Sequence, residues 1–415
     1  MTTVTDAGKA IEAVWRIEAA RVIAGVARLV GDVGLAEELA QDALVAALEQ
    51  WPAEGVPRNP GAWLMTTAKR RAIDTIRRQQ VLQKHLPALA VDERTDEAGF
   101  DEVLEQDPIE DDLLRLIFTA CHPVLKPEAR VALTLRLLGG LSTDEIARAF
   151  LVPSATVGQR ISRAKKALAD AKVPFELPAG PDRAARLASV LEVIYLIFNE
   201  GYSATAGEDW MRPALCEEAM RLGRVLAGLA PGEAEVHGLV ALLEIQASRS
   251  AARTGPDGAP VTLLEQDRRR WDRLLIDRGL AALARAEGLG GGTYTLQAAI
   301  AACHARARTA AATDWARIAG LYARLAELAP SPIVELNRAV AVSMADGPQA
   351  GLAVLDALLE EPSLREYHLL PSVRGDFLFR LGRTAQARAE FERAAAMTRN
   401  EKERELLLGR AAVCG

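Results

Sequence analysis

The chain has 415 residues, half of them hydrophobic and 5% aromatic, with a formal net charge of −6. That length favours two or three domains over one, and no apolar run approaches the ~20 residues that a membrane span needs. The first residues, Met1 to Lys9, lack the charged-then-apolar layout of a secretion signal, so a soluble cytoplasmic protein is expected. Ala, Leu, Arg and Glu dominate and strand-like alternation is scarce, which points to an all-α fold. The four cysteines show no CxxC module or disulfide framework, and Cys121-His122 and Cys303-His304 are adjacent pairs whose side chains diverge on a helix. No metal, cofactor or catalytic group is expected.

In chain order, residues 10–30 read as a helix with apolar Ile11, Val14, Trp15, Ile17, Val22, Ile23 and Val26. Gly31-Asp32-Val33-Gly34 breaks it. A second helix over Leu35–Leu48 buries Leu39, Ala43, Ala46 and Ala47 and leaves Glu38, Gln41 and Asp42 for a partner. After a turn-rich loop, Pro52–Pro60, a third helix runs from Ala62 to Arg78. Trp63, Leu64, Ala68, Ala72, Ile73 and Ile76 can pack inward. Lys69, Arg70, Arg71, Arg77 and Arg78 spread over the rest, as a solvated face or a DNA-backbone face.

Residues 79–112 are polar and weakly periodic, a linker. The stretch 92–112 holds 11 acids against one base, Arg94. Without it, residues 1–175 carry 21 basic against 14 acidic residues. The acidic total therefore does not exclude a phosphate-facing surface. Helices follow over 113–120 and 127–138, the second stopped by Gly139-Gly140. Ser142 with Glu145 fits a capping box. Leu151-Val152-Pro153 breaks the chain, and Ser154 is a good N-cap for the next helix. There Val157, Ile161, Ala164 and Leu168 face inward, and Thr156, Gln159, Arg160, Arg163 and Lys166 face out. With small Ala147 at the crossing, this describes a helix-turn-helix; an ordinary helical hairpin is the alternative.

Val173 to Pro181 is a Pro-rich boundary. Beyond it, Arg186–Phe198, Arg212–Ala230 and Val236–Ser248 read as helices. Asn199-Glu200-Gly201-Tyr202 is a break that reads as structural, with Tyr202 buried and Glu200 capping or salt-bridged. Gly290-Gly-Gly292 reads as a loop, and Asp267 to Asp272 as a salt-bridged, solvated helix face. Gly375, Leu378, Gly382, Ala387, Phe391 and Ala394 match the small/large spacing of a tetratricopeptide repeat. Ala339, Val342, Gly347, Ala350, Val354 and Ala357 form a looser copy.

Ala36 to Leu44, Ala62 to Asp74 and Arg77-Arg78 resemble region 2 of the extracytoplasmic-function sigma factors of bacterial RNA polymerase. Arg130 to Leu168 resembles their region 4. Tyr195 to Thr205, with the repeat-like tail, resembles the subgroup that carries a long C-terminal tetratricopeptide-like extension. The resemblance implies domains over 1–80 (region 2), 81–112 (acidic linker, threading toward the RNA exit path), 113–175 (region 4) and 182–415 (extension). It implies core-polymerase binding through Glu38, Gln41 and Asp42, with the β′ clamp helices and β flap as partner surfaces. It implies −10 contacts from Asn59, Trp63, Lys69, Arg70, Arg71, Arg77 and Arg78. It implies −35 contacts from Ser154, Thr156, Gln159, Arg160, Arg163 and Lys166. Arg70 stands where many members carry Asn. The extension is expected to meet a protein or ligand, and no membrane partner is implied. Two other readings stand beside the sigma factor: a helix-turn-helix regulator with a helical-repeat sensor domain, and an enzyme in the C-terminal half, for which the residues offer no coherent site.

Overall fold

The structure, a computed structural model, describes residues 2–84, 109–150, 152–203, 211–255, 260–398 and 400–415. The expected acidic linker lies largely outside them. No β-strand forms among the described residues; one isolated antiparallel bridge joins Thr254 and Pro260. The chain divides into two compact units, Met1–Val193 and Ile194–Gly415. The described residues contain no helix long and apolar enough to cross a membrane.

In the first unit α1 (Thr2–Val30) ends at Gly31, whose φ of 67° favours glycine. Asp32 caps α2 (Val33–Glu54) by accepting the Leu35 N–H at 2.8 Å. α3 (Pro60–Lys84) is longer than the periodicity predicts. The three pack together around Ile11, Val22, Ile23, Val26, Leu39, Ala43, Leu64, Ala68 and Ala72, all buried. Ile17 is left 68% exposed. α1 also packs on α4 (Ile109–Ala120), where buried Asp112 pairs with Arg28 at 3.3 Å and Arg115 at 2.6 Å. α5 (Pro127–Leu137), α6 (Thr143–Phe150) and α7 (Ser154–Asp170) complete the second module. α8 (Pro181–Tyr202) begins in this unit. Its Ser189 hydroxyl donates to the Cys121 carbonyl at 2.6 Å, Arg186 donates to the Phe118 carbonyl at 3.0 Å, and Glu192 pairs with Arg130 at 3.0 Å.

The second unit is a succession of antiparallel helices: α9 (Pro213–Leu229), α10 (Ala234–Ala247), α11 (Arg273–Gly288), α12 (Thr293–Arg306), α13 (Trp315–Leu328), α14 (Pro332–Asp346), α15 (Pro348–Asp356), α16 (Leu369–Arg380), α17 (Thr384–Met397) and α18 (Glu401–Val413). α10 is buried on nearly every face and packs on α9, α11 and α12. From its first turn the Glu235 carboxylate accepts the Tyr294 and Thr295 N–H groups at 2.7 and 3.1 Å, capping α12 across the unit. Toward the C-terminus α14/α15 and α16/α17 form helical pairs over a core of Leu336, Ala339, Leu352, Phe377, Leu378, Ala387, Phe391 and Ala394. Gly382 (φ 75°) and Gly347 (φ 98°) turn the chain between paired helices.

The four cysteines are buried and free of disulfides. Asp267 to Asp272 is solvated only in part: Asp267, Arg269, Arg270 and Asp272 are exposed and Asp267 pairs with Arg269 at 2.9 Å, as expected, but the segment is not one helix face. Arg268 and Trp271 are buried, a single turn spans 268–270, and Asp272 caps α11. The helix expected to break at Asn199 continues to Tyr202, which is half-buried, and Glu200 pairs with Arg212.

At Gly375 on α16, an added Cβ would come 2.9–3.1 Å from three atoms of the Phe391 ring. Helix propensity would favour a side chain by ~1 kcal/mol, but overpacking a buried ring costs roughly 1–3 kcal/mol. Gly375→Leu should therefore lower stability by about 1 kcal/mol, read from the urea unfolding of the full-length chain.

Candidate nucleic-acid interface

The helix-turn-helix forms as its side chains dictate. Ser142 N–H donates to Glu145 Oε2 at 2.8 Å, and Glu145 N–H donates back to Ser142 Oγ at 3.2 Å, closing the capping box. Arg16 on α1 pairs with the same carboxylate. Burial alone would raise the Glu145 pKa, but the Ser142 hydrogen bonds and the Arg16 and Arg148 charges outweigh it and hold the carboxyl below its usual range. Ile146 and Ala147 are buried at the crossing. Ser154 departs from expectation. Pro153 occupies the N-cap position of α7, and the Ser154 hydroxyl donates to Asp144 on α6 at 2.5 Å. The serine ties the two helices of the motif together instead of capping the second.

On α7, Val157, Ile161, Ala164 and Leu168 are buried, as the spacing predicts. Gln159, Arg163 and Lys166 are exposed; Thr156 and Arg160 are half-buried. These form one polar, basic side of the helix, with the geometry to enter a groove.

α3 carries the second set. Arg70, Arg77 and Arg78 are exposed, and half-buried Arg71 pairs with Asp42 of α2 at 3.3 Å. Lys69 does not share that exposed side. It is 8% exposed, turned toward α1, where Gly25 leaves room for its stem and for Met65. Asn59 caps α3, its Oδ1 accepting the Ala62 N–H at 3.1 Å. Trp63 is half-buried with its ring 5.3 Å from Trp51 in an edge-to-face contact.

On α2, Glu38 and Asp42 are exposed, and so are Val45 and Leu48, at 50% and 47%. Two apolar side chains beside two acids make a surface that fits a protein partner better than water. The sequence reading passed over Val45 and Leu48 because apolar residues on an amphipathic helix read as core.

One helical step from Glu38, Glu37 is buried at 2% exposure. Its Oε1 accepts from Arg136 Nε of α5 and from Gln41 Nε2, both at 2.6 Å, and Lys165 Nζ of α7 pairs with its Oε2. Arg136 also donates to the Leu141 carbonyl at 3.2 Å. The network joins α2 to the helix-turn-helix, and it holds Gln41, an expected partner contact, half-buried. Beside it the α1–α2 turn and the end of α7 line an open cleft of about 310 Å³ that includes Lys165 and Lys172. Among the described residues no group of three or more His, Cys, Asp or Glu side chains could hold a metal ion.

The sigma-70 region 2 family model matches residues 16–81, covering the second half of α1, all of α2 and most of α3, and the sigma-70 region 4 model matches residues 115–168, from α4 to α7. Two sigma-70 regions, in the order 2 then 4, thus lie within the first unit. It is 46% identical over 374 residues to an uncharacterized protein of Rhizobium meliloti (strain 1021), a match spanning 90% of this chain and 88% of the relative. A family of unknown function, DUF6596, matches residues 186–287. No solved structure matches the chain. The sigma-70 regions support a sigma factor role.

Removing the Glu37 carboxylate leaves two cations facing each other in a largely buried site. Glu37→Ala should lower the stability of the first unit by about 2 kcal/mol, a value reduced from the fully buried case because Arg136 and Lys165 keep some solvent contact. Urea unfolding of the variant checks this. Glu145 generates a pH dependence. Its folded pKa is depressed, so its contribution is present above the unfolded carboxyl pKa and fades as pH falls through the lower folded value. Glu145→Gln should flatten that acid-side slope in thermal melts between pH 3 and about 5.

Proposed function

We propose that this chain is a sigma factor of the extracytoplasmic-function type that binds core RNA polymerase and directs promoter-specific initiation, with a C-terminal regulatory domain in cis. The observation that carries the reading is the ordered pair of sigma-70 regions, each presenting an exposed basic helix side, α3 and α7. In this reading α2 docks on the β′ clamp helices through Glu38, Asp42 and Gln41, with Val45 and Leu48 adding apolar contact, while region 4 meets the β flap. Arg70, Arg71, Arg77 and Arg78 follow the phosphates near the −10 element, which gives affinity and salt dependence. Asn59 and Trp63, at the head of α3, stand where an unstacked base would be captured, and Lys69 supports the helix from its inner side. Ser154, Thr156, Gln159, Arg160, Arg163 and Lys166 meet the −35 element, the outer ones reading base edges. Domain limits of 1–80, 81–112, 113–175 and 182–415 follow from the same reading, as does a cytoplasmic location.

The −10 and −35 elements lie roughly 25 base pairs apart, about 85 Å along B-DNA. A compact unit of 193 residues has a diameter of about 40 Å. Engaging both elements at once therefore requires the Glu37–Arg136–Lys165 network to open.

The paired helices of the extension, with small residues at their crossings, support a tetratricopeptide-like arrangement, an architecture suited to protein or ligand contacts. A helix-turn-helix regulator that does not bind polymerase would not need the acid-and-apolar side of α2. Run-off transcription with purified core polymerase and the protein's own upstream DNA tests the reading. Arg160→Ala with Arg163→Ala should weaken promoter binding at least tenfold and leave core binding intact, while Glu38→Lys with Asp42→Lys should do the reverse. No transcript from the native promoter, or equal loss of both bindings in either variant, overturns the assignment.

A further inference from the structure

Three guanidinium groups converge in the second unit, beyond the end of α10. The terminal nitrogens of Arg268 are satisfied: they donate to the His304 carbonyl at 2.5 Å, the Ala307 carbonyl at 2.7 Å and Thr313 Oγ1 at 3.1 Å, and the guanidinium lies 4.9 Å from the Trp271 ring, while Nε has no partner. Arg253 donates to the Tyr202 carbonyl and stacks 3.5 Å over the Tyr202 ring. Arg249 differs from both. It is 9% exposed, and among the described residues none of its guanidinium nitrogens has a hydrogen-bond or ion-pair partner, whereas the terminal nitrogens of Arg268 and Arg253 do. Its nearest company is aromatic: the Tyr202 and Trp271 rings at 5.7 and 5.9 Å. Ring faces at that distance do not replace the hydration a guanidinium loses on burial.

We infer that Arg249 is the anchoring cation of a binding site, within the extension, for the phosphate or carboxylate group of a small molecule. The surroundings fit an oxyanion. Burial, then the Arg249 and Arg268 charges, push His304 down to about 3, so that ring is neutral and marks the field as positive. Burial pushes the Tyr322 phenol up to about 12, with Arg249 within electrostatic reach, and raises Tyr195 as well. At neutral pH Tyr322 is a protonated donor near a guanidinium, a pairing that an oxyanion takes, whereas the Tyr195 hydroxyl already donates to Gln297 Oε1 at 3.4 Å. The acid facing the cluster is Glu403, which already accepts from Thr398 at 2.8 Å and pairs with His368 at 3.2 Å. Nine-tenths burial of Arg249 admits a terminal group, not a broad surface, which favours a small molecule. The site lies within the second unit and does not depend on the sigma factor reading.

A buried cation without an oxygen partner destabilises the free protein, and an anion that pairs with it restores that stability. Thermal melts of the full-length chain with inorganic phosphate, sodium acetate or sodium chloride at matched ionic strength test this. The site predicts a saturable rise of about 5 °C at one hundred times Kd with phosphate, acetate or both, and none with chloride; the more effective anion identifies the head group. Arg249→Met should melt no lower than wild type without anion and lose the response. Arg160→Ala with Arg163→Ala should keep it, which separates this site from phosphate held on α7. Titration calorimetry of the wild-type chain should find one anion retained per molecule in the α7 variant. Absence of a saturable rise, or an equal rise in Arg249→Met, overturns the inference. If Arg249→Met does not fold, calorimetry showing no bound anion in the α7 variant overturns it.

Discussion

A carboxylate held out of water sets the terms for the first unit. Glu37, at 2% exposure, is surrounded by Arg136, Lys165 and Gln41, which partner its two oxygens where water cannot. The same contacts fix how α2 sits against the helix-turn-helix and keep Lys165 from the outer side of α7. Glu38, one residue on, is turned about 100° around the helix and meets solvent. Two adjacent acids thus have different tasks: one holds the modules together and the other belongs to the surface offered to a partner. Arg28–Asp112 and Arg16–Glu145 repeat the arrangement between α1 and the second module.

The second unit relies on the same device with charges of both signs. Glu235 caps α12 from α10, and Arg268 gathers three oxygens from the segment around α12 and α13. Charged groups that look like surface residues serve as pegs where helices would otherwise leave backbone groups unpaired. Farther along, small residues take over. Gly375 lets the α16 backbone meet Phe391, and Ala339, Ala387 and Ala394 let paired helices approach closely.

Much of this was legible in the residues. The 3.6-residue period placed the helices of both modules and sorted α7 into Val157, Ile161, Ala164 and Leu168 inside and Gln159, Arg163 and Lys166 outside. The capping box at Ser142 formed as its spacing implies. What escaped were charges whose partners are remote in sequence. Glu37 finds Arg136 99 residues away, and Arg268 finds carbonyls 36 and 39 residues away. No local pattern marks such a residue as buried, so Glu37 and Lys165 went unnoticed and Lys69 and Arg268 read as solvated. Ser154 was misplaced for a related reason: its hydroxyl had a choice between a local backbone N–H and Asp144 on the neighbouring helix. The Pro-rich segment before α8 separates two helices in sequence, yet the first turns of α8 are fastened to α4 and α5 through Ser189, Arg186 and Glu192. Only the tertiary contacts reveal that.

The buried cysteines have a chemical consequence. Burial pushes the Cys121 thiol up to about 11 and the Cys216 thiol up to about 12, so at neutral pH hardly any nucleophilic thiolate exists at either position. Cys121 Sγ sits 3.4 Å from Thr134 Oγ1, between α4 and α5, and Cys216 lies in α9 of the other unit. Alkylation must wait until each helix leaves its neighbours and water reaches the sulfur. The chain thereby carries a built-in clock in each half: the rate at which Cys121 or Cys216 reacts counts how often its own surroundings open.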